Sequence, residues 1–257
     1  MKSMITLEKL ENHLSSLIGF EVVSSESLEA GSGQGTKYEN IIYDELKNKF
    51  NDKIFKNYEL LNFLYENNPA AISYDQRINL FQSKALRFLL SRGKKPTESW
   101  GINSQFEEKQ GDTADIIYFD NPVIILDVKS KSIEKKGQPP NIISFYKLAE
   151  CCKIMLESED FDSFEFFYIG VEFKKTSISD TISNIRVVDL FKIPMEELYF
   201  NFAAATQLQF DVDKISQNFE GTKKDWCLEF LKTLVPKVNK RIKKMEDGIK
   251  QYKDLLD

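Results

Sequence analysis

Residues 115–129 restrict the fold of this 257-residue chain more than any other segment. Two short runs rich in β-branched and aromatic residues, 115–119 and 123–129, flank the turn-forming sequence Asp-Asn-Pro at 120–122. This pattern predicts a β-hairpin with a three-residue loop. The second run is wholly apolar until Asp127, which predicts that its strand is buried.

The predicted hairpin would bring two carboxylates together. With the loop centred on Asn121, Asp115 lies directly opposite Asp127. Lys129 follows Asp127 by two residues, so its side chain leaves the strand on the same face. An exposed salt bridge is the alternative interpretation, and the apolar run that precedes these charges favours a buried site instead.

Two opposed carboxylates repel each other unless a cation lies between them. Mg²⁺ suits that place because it prefers oxygen ligands, keeps several waters and shares its coordination shell with substrate phosphates. A lysine beside the metal can orient the attacking water or lower its pKa, and it can offset charge on the transition-state oxygens. Asp115, Asp127 and Lys129 therefore predict a magnesium site for hydrolytic chemistry.

The chain contains a single histidine, His13. Hydrolases that need two or three histidine ligands are therefore excluded, as are nucleases that rely on histidine clusters. His13 falls on a predicted amphipathic helix, where a surface or packed residue is expected. Carboxylate, metal and lysine chemistry needs no histidine and so agrees with the composition.

The composition is 42% hydrophobic and 29% charged, which is typical of a globular protein. The three cysteines form no CxxC pair, so we expect neither a disulfide framework nor a zinc site. We find no secretory signal and no apolar run of membrane-spanning length, and we expect a cytoplasmic location. The net charge of −5 does not exclude nucleic acid, because residues 129–141 carry a local +3 and residues 220–244 a local +5.

The rest of the chain mixes helical and strand patterns. Apolar residues at three- and four-residue spacing predict helices, and alternating or strongly apolar runs predict strands. The predicted helices are 1–18, 37–50, several short segments within 54–92, 142–157 and one long helix from 222 onward. The predicted strands are 19–23, parts of 106–129, 164–173, 185–191 and 199–212. No repeat or linker divides the chain, so we expect one α/β domain over residues 1–257.

Two further segments carry groups that can contact phosphate. The glycine-rich stretch at 31–37 departs from the Walker pattern, so we interpret it as a flexible loop before a helix. Its N–H groups could still hold a phosphate at the helix N-terminus. Arg92 and Lys94 follow the end of an apolar helix, where cations either stabilise the helix C-terminus or contact phosphates.

The spacing of Asp115 and the tripeptide Asp-Val-Lys at 127–129 resembles the PD-(D/E)xK motif of the restriction-endonuclease superfamily. Segments across nearly the whole chain are similar, in order, to the HindII family of type II restriction endonucleases. These segments are FLLSRGK (88–94), FEEKQGDTADI (106–116), LDVK (126–129), QPPNIISFYKLA (138–149), ELYFNFAAATQLQF (197–210) and FEGTKKDW (219–226). Two departures are that Gly111 stands where the motif has proline and that the hairpin loop is one residue shorter.

This resemblance implies a restriction-endonuclease-like mixed central β-sheet flanked by α-helices. It implies Mg²⁺-dependent cleavage of both strands of double-stranded DNA, with Asp115, Asp127 and the Val128 carbonyl as metal ligands and Lys129 as the catalytic lysine. The family cuts the six-base site G-T-pyrimidine-purine-A-C to blunt ends. The resemblance also implies a C₂ homodimer, since two strands need two active sites, and a cognate DNA methyltransferase that protects the cell's own DNA.

Residues 199–212 alternate between an apolar side and a polar side, and charged residues are absent from 198 to 210. A half-buried strand with a solvated outer face accounts for this alternation by itself. The polar side also suits base recognition, because amides can bond adenine edges and small apolar groups can contact thymine methyls. With the resemblance, Tyr199, Asn201 and Ala203 or Ala204 become the candidates for base recognition.

Residues 129–141 form a basic segment that either lies in solvent or grips DNA phosphates. By resemblance, Gln138, with two prolines after it, is a candidate wedge that enters from the minor groove at a flexible pyrimidine–purine step. Asn141 is then a DNA contact near that wedge. We expect the basic helix over 220–244 to be a solvated face, with a phosphate contact or dimer support as alternatives.

These patterns lead to the expectation of a type II restriction endonuclease. The first alternative is a repair or recombination nuclease with the same motif, which would lack the recognition strand and the Gln138 loop. The second alternative is a DNA-binding protein without cleavage, in which the two acids have a structural role only.

Overall fold

A computed structural model gives the arrangement of the chain. It describes residues 5–23, 32–71, 74–90, 114–134, 139–176, 179–203 and 206–253. Within these ranges, seven α-helices and nine β-strands surround two hydrophobic cores that lie on opposite faces of a central sheet. None of the described helices has both the length and the apolar character needed to cross a membrane.

The central sheet contains six strands. They are β1 (Glu21–Val23), β2 (Ile54–Phe55), β3 (Ile116–Tyr118), β4 (Val123–Ser132), β6 (Phe164–Lys175) and β7 (Ser179–Asp189). Their order is β1-β7-β6-β4-β3-β2. β4 and β6 run parallel, whereas every other neighbouring pair is antiparallel, so the expected mixed sheet is confirmed.

The hairpin predicted for residues 115–129 is present with its predicted register. Ile117 pairs with Ile125, and Tyr118 pairs with Ile124. β4 continues past Lys129 to Ser132 because it pairs with β6 along its whole length. Successive residues of β4 face opposite sides of the sheet, with Ile125 in one core and Ile124 in the other.

A smaller sheet contains β5 (Asn141–Ser144), β8 (Tyr199–Asn201) and β9 (Gln207–Gln209), in the order β5-β9-β8. The single strand predicted over 199–212 is therefore wrong, because the chain turns back after Asn201 and pairs with itself. The predicted alternation still describes the two faces. Phe200 and Leu208 are buried in the core, whereas Tyr199 is 58% exposed.

Helices cover both faces of the central sheet. They are α1 (Leu7–Leu14), α2 (Ser32–Phe50), α3 (Asn57–Asn67), α4 (Tyr74–Ile78), α5 (Lys84–Leu90), α6 (Phe145–Ser158) and α7 (Lys223–Lys253). α1 and α2 pack on one face. The remaining helices and the smaller sheet pack on the other face, where Trp226 is fully buried and donates a hydrogen bond to the Ile193 carbonyl. The two layers follow from the alternating apolar residues of the strands.

Two predicted helix boundaries are wrong for physical reasons. α2 begins at Ser32, so most of the glycine-rich stretch interpreted as a loop is helical. The buried side chains of Tyr38, Ile42 and Leu46 stabilise this helix and override the low helix propensity of glycine. α6 begins at Phe145 and not at residue 142, because residues 141–144 pair with β9 and form β5.

The lone histidine is a packed residue, as expected. The His13 ring lies edge-on to Phe50 at 5.9 Å between centroids, and its Nε2 is 3.0 Å from Glu45 Oε1. These contacts join α1 to α2. The three cysteines are buried and have free thiols, which agrees with the prediction that they form no disulfide framework.

Candidate active site

The hairpin β3–β4 brings Asp115, Asp127 and Lys129 together. Asp115 lies just before β3, and its Oδ2 accepts a hydrogen bond of 2.8 Å from the backbone N–H of Val128. This bond fixes the Asp115 carboxylate against the part of β4 from which Asp127 and Lys129 project. The two carboxylates interact directly, as the predicted pairing of Asp115 with Asp127 requires.

Asp127 and Lys129 form an ion pair in which Asp127 is buried and Lys129 is partly buried. Lys129 Nζ lies 2.8 Å from both carboxylate oxygens of Asp127 and donates a hydrogen bond to Oδ1. Asp127 is only 5% exposed, so the interpretation as an exposed salt bridge is wrong. Desolvation offsets most of the attraction in such a pair, and stability alone is therefore a weak reason for its presence.

Burial dominates the ionisation of this cluster. It raises the pKa of Asp127 well above the usual range of a carboxyl, and the neighbouring Asp115 raises it further, while Lys129 acts in the opposite direction. For Lys129, burial acts to lower the pKa, but Asp127 and then Asp115 outweigh it, so the pKa is raised. Two carboxyl groups thus share one lysine at this site, and a further cation would favour their ionised forms.

One oxygen of the cluster lacks a hydrogen bond. Asp127 Oδ2 is buried and accepts no hydrogen bond of good geometry in the described ranges, although Lys129 Nζ lies 2.8 Å from it. A buried carboxylate oxygen that keeps unused acceptor capacity is well placed to bind a cation. The oxygen ligands available here, two carboxylates and a backbone carbonyl, are those that Mg²⁺ prefers. The described residues contain no cluster of three or more His, Cys, Asp or Glu side chains that could bind a metal by themselves.

Two residues near the site were not predicted from the sequence. Tyr168 pairs with Asp127 across β4 and β6, and its buried hydroxyl has no hydrogen-bond partner in the described part of the chain. Burial raises the pKa of Tyr168, and Asp127 and Asp115 add to that increase. Glu39 of α2 helps to raise the pKa of Lys129. Neither residue carried a signal, because only the packing of separate segments brings them to the hairpin.

A cleft extends from Lys129 along the sheet. Val212 and Asp213, which follow β9, line one part of it. Lys131 Nζ is 2.9 Å from Asp211 Oδ1, and Arg186 donates hydrogen bonds to the carbonyls of Val212 and Asp213. β4 carries Asp127 and Lys129, and Asp211 follows the strands β8 and β9 that lie beside the base-recognition candidates. The contact of Lys131 with Asp211 therefore links the catalytic strand to the smaller sheet.

Gly170 allows this close approach. It pairs with Lys129, and a Cβ at position 170 would lie 2.5 Å from Val212 Cγ1 and 2.7 Å from Val212 Cβ. Because such overpacking typically costs about 1–3 kcal/mol, Gly170→Ala is expected to lower the free energy of unfolding by that amount. Chemical denaturation measures this loss.

A glycine in α7 provides the control for Gly170→Ala. A Cβ at Gly248 would meet no atom within 4 Å, so Gly248→Ala should raise the free energy of unfolding by about 0.5–1 kcal/mol. Equal effects of the two substitutions would contradict the steric explanation.

The smaller sheet presents several of the predicted DNA contacts on one polar face. Tyr199, Asn141 and Ala203 are exposed, and Asn201 is half-buried. Asn141 and Tyr199 flank Gln209, because both pair with it in the register of the sheet. The other predicted contacts lie outside the described residues: Arg92, Lys94, Gln138 and Ala204.

A mixed sheet flanked by helices, with two acids and a lysine brought together by a hairpin of that sheet, is the architecture of restriction-endonuclease-like nucleases. The family model for "Restriction endonuclease HincII" matches residues 14–255. The chain is 42% identical over 229 residues to the type II restriction enzyme HincII of Haemophilus influenzae, an alignment that covers 88% of this chain and 89% of that enzyme. It is 41% identical, with the same coverage, to the type II restriction enzyme HindII of Haemophilus influenzae strain Rd.

The chain belongs to the HincII restriction endonuclease family. It is a type II restriction endonuclease, an enzyme that cleaves DNA at specific sites. The expected family and fold are thereby confirmed, and the alternative of a DNA-binding protein without cleavage is wrong.

Proposed function

We propose that the chain hydrolyses phosphodiester bonds in both strands of double-stranded DNA with Mg²⁺ bound at the hairpin β3–β4. The observation that carries this proposal is the cluster of the buried Asp127 with the partly buried Asp115 and Lys129 at the hairpin β3–β4. Family membership supports the reaction class, and the cluster supplies the groups that such a reaction needs.

Asp115, Asp127 and the Val128 carbonyl would hold the metal. The close approach of two carboxylates, with Lys129 as the one cation beside Asp127 in the described ranges, supports a divalent cation at this point. When bound, Mg²⁺ would supply Lewis-acid activation of the scissile phosphate and of the attacking water. The remaining coordination positions suit waters and phosphate oxygens, since Mg²⁺ keeps several waters in protein sites.

Lys129 acts in this proposal as a fixed positive charge and hydrogen-bond donor. The neighbouring carboxylates raise its pKa despite burial, which favours the charged ammonium group. Held by Asp127 at 2.8 Å, the ammonium can orient a water for attack on phosphorus. It can also stabilise the charge that develops on the phosphate oxygens.

We further propose the site G-T-pyrimidine-purine-A-C, cut to blunt ends. Tyr199, Asn201 and Ala203 with Ala204 would read base edges, whereas Gln138 and Asn141 would act at the central step. The exposure of Tyr199, Ala203 and Asn141 on one face of the smaller sheet supports this assignment. Arg92 and Lys94 would contact phosphates.

We propose that a second copy of the chain packs along α7. Apolar residues recur on this helix at alternating spacings of three and four, the pattern of a coiled-coil seam. They are Leu228, Leu231, Val235, Val238, Ile242, Met245, Ile249 and Tyr252. Val235, Ile242, Met245, Ile249 and Tyr252 are each 47–58% exposed. Contact with a second copy of the helix explains this row of exposed apolar side chains better than exposure to solvent does.

Charges placed in this seam should separate the homodimer. The double variant Ile242→Glu with Ile249→Glu is expected to have half the wild-type mass by light scattering, because a buried unpaired carboxylate is costly. The monomer should also lose double-strand cleavage. Lys243→Glu with Lys250→Glu, one residue further along the same helix, should remain dimeric. A dimeric seam variant would show that the interface lies elsewhere, and a monomeric wild type would contradict the homodimer itself.

The remaining parts of the proposal concern the cell. We propose that residues 1–257 form a single restriction endonuclease domain, which the match over 14–255 supports. We also propose that the enzyme works in the cytoplasm beside a cognate DNA methyltransferase that protects the host's own sites. This partner shares the recognition sequence and needs no contact with the enzyme.

One experiment tests the proposed function. Purified protein is incubated with a plasmid that contains the proposed site, with Mg²⁺ or with EDTA, and the ends of the products are sequenced. Discrete fragments only with Mg²⁺, with blunt ends at the proposed site, would support the proposed metal, site and ends. Discrete fragments at another sequence would overturn the proposed site alone, whereas equal cutting with EDTA would overturn the proposed metal.

A further inference from the structure

Gln209 occupies the centre of the smaller sheet and connects the two segments that carry the DNA-contact candidates. It lies on the middle strand β9, is 3% exposed, and uses both ends of its side-chain amide. Its Nε2 donates to the Pro139 carbonyl at 3.1 Å and to Asn141 Oδ1 at 2.8 Å. Its Oε1 accepts from Asn201 Nδ2 at 3.3 Å.

The direction of this hydrogen-bond chain is fixed by backbone groups at its two ends. The Pro139 carbonyl can only accept, so the atom of Gln209 that faces it must be the amide nitrogen. At the other end, the Ala203 N–H can only donate, and Asn201 Oδ1 accepts from it at 2.9 Å. Each amide between these ends therefore has one permitted orientation, with nitrogen and oxygen assigned without ambiguity.

This direction determines what Asn141 presents to a ligand. Gln209 Nε2 is a donor, so Asn141 must turn its Oδ1 toward it. The Nδ2 group of Asn141 is then left to point elsewhere, and Asn141 is an exposed residue at the edge of the sheet. Asn141 is thereby held as a hydrogen-bond donor, which suits an acceptor on a base edge such as a purine nitrogen or a base carbonyl.

We propose that Gln209 is a specificity-determining positioning residue, which acts by fixing the orientation of the Asn141 and Asn201 amides before DNA binds. This inference rests on the proposed function, in which Asn141 and Asn201 contact DNA. Gln209 itself does not touch DNA, because it is buried beneath its neighbours. Without it, the Asn141 amide could rotate and offer an acceptor where a donor is needed, and Asn201 would be held by the Ala203 N–H without its second bond. Cognate DNA would then lose its advantage over other sequences.

Gln209→Met tests the proposal, since methionine keeps the length of the side chain and removes its hydrogen bonds. Cleavage rates and binding constants are measured on a duplex with the proposed site and on one with a single altered base pair, with binding followed in Ca²⁺. The ratio between the two duplexes should fall by at least about tenfold, because one lost base discrimination is typically of that size or larger. Binding to unrelated DNA should change little.

Gln217→Met is the matched control. Gln217 also uses both ends of its amide, accepting from the Asp189 N–H at 2.8 Å and donating to the Val187 carbonyl at 3.3 Å. A purely structural effect would lower the stability of both variants and leave discrimination intact in both. Loss of discrimination in Gln209→Met alone supports the positioning role.

A double-mutant cycle with Asn141→Ala shows whether Gln209 acts through Asn141. The loss of discrimination in the double variant should be smaller than the product of the two single losses, because both remove the same contact. Independent effects, or unchanged discrimination in Gln209→Met, would overturn the inference. A wild-type enzyme that does not distinguish the two duplexes would contradict the proposed recognition site instead, so the two failures are distinguishable.

Discussion

Replacing Lys129 with methionine is expected to slow DNA cleavage by about 10²–10³-fold or more, while specific DNA binding is retained. The ammonium group is the only charged donor that the hairpin β3–β4 directs at Asp127 among the described residues. Methionine fills the same volume without charge, so the fold should persist. Single-turnover cleavage measures the rate, and a binding assay in Ca²⁺ measures the affinity.

The control for Lys129→Met is Lys153→Met. Lys153 lies on α6 with a side chain that is 55% exposed, and its ion pair with Glu150 is of the surface kind that contributes little. This variant should cleave at the wild-type rate. Undiminished cleavage by Lys129→Met would show that another group supplies the charge, and the assignment of Lys129 would then be wrong.

Replacing Asp127 with asparagine should remove both cleavage and the response of the protein to Mg²⁺. A ligand that binds only the folded state raises its stability in proportion to the logarithm of ligand concentration. The wild type should therefore show a rise in melting temperature with Mg²⁺, and Asp127→Asn should show none. Asparagine is nearly the same size but offers only one neutral oxygen to the metal.

Asp180→Asn is the control for this substitution. Asp180 is another buried carboxylate, 2% exposed, which accepts a hydrogen bond from Tyr38 and lies 3.6 Å from Lys37 Nζ. Its replacement should lower stability but leave the thermal response to Mg²⁺ unchanged. A full response in Asp127→Asn would place the metal elsewhere.

The metal-free Asp127→Asn variant should also respond less to pH than the wild type. Burial raises the pKa of Asp127 in the folded protein, so the folded state binds a proton more tightly than the unfolded state. The stabilisation from this proton is fully present below the ordinary pKa of a carboxyl and is lost as pH rises through the raised value. Asparagine does not titrate, so its unfolding curves should lack this dependence.

The sequence by itself determined the hairpin and its register. The turn at 120–122 and the apolar runs on both sides allow only one pairing that buries the strand, and that pairing aligns Asp115 with Asp127. The lack of histidine clusters pointed to the same chemistry. These features depend on residues that are close together in the sequence, so the sequence was sufficient to predict them.

The sequence was less informative wherever two distant segments decide the local structure. α2 begins at Ser32 because of its packing against remote residues. Residues 142–144 form part of β5, and not the predicted helix, because they pair with β9. The turn between β8 and β9 was missed because an alternating pattern looks the same in one long strand and in two short ones.

The contents of the site beyond the motif were decided only by the tertiary structure. Parallel pairing of β4 with β6 places the Tyr168 hydroxyl near Asp127, and the approach of β9 to β5 buries Gln209 between Asn141 and Asn201. The contacts of Asp127 with Tyr168 and of Asn141 with Gln209 join residues about 40 and 70 positions apart, and they follow from no spacing in the sequence. The reacting groups could be read from one hairpin, whereas the groups that orient them required the packed sheets.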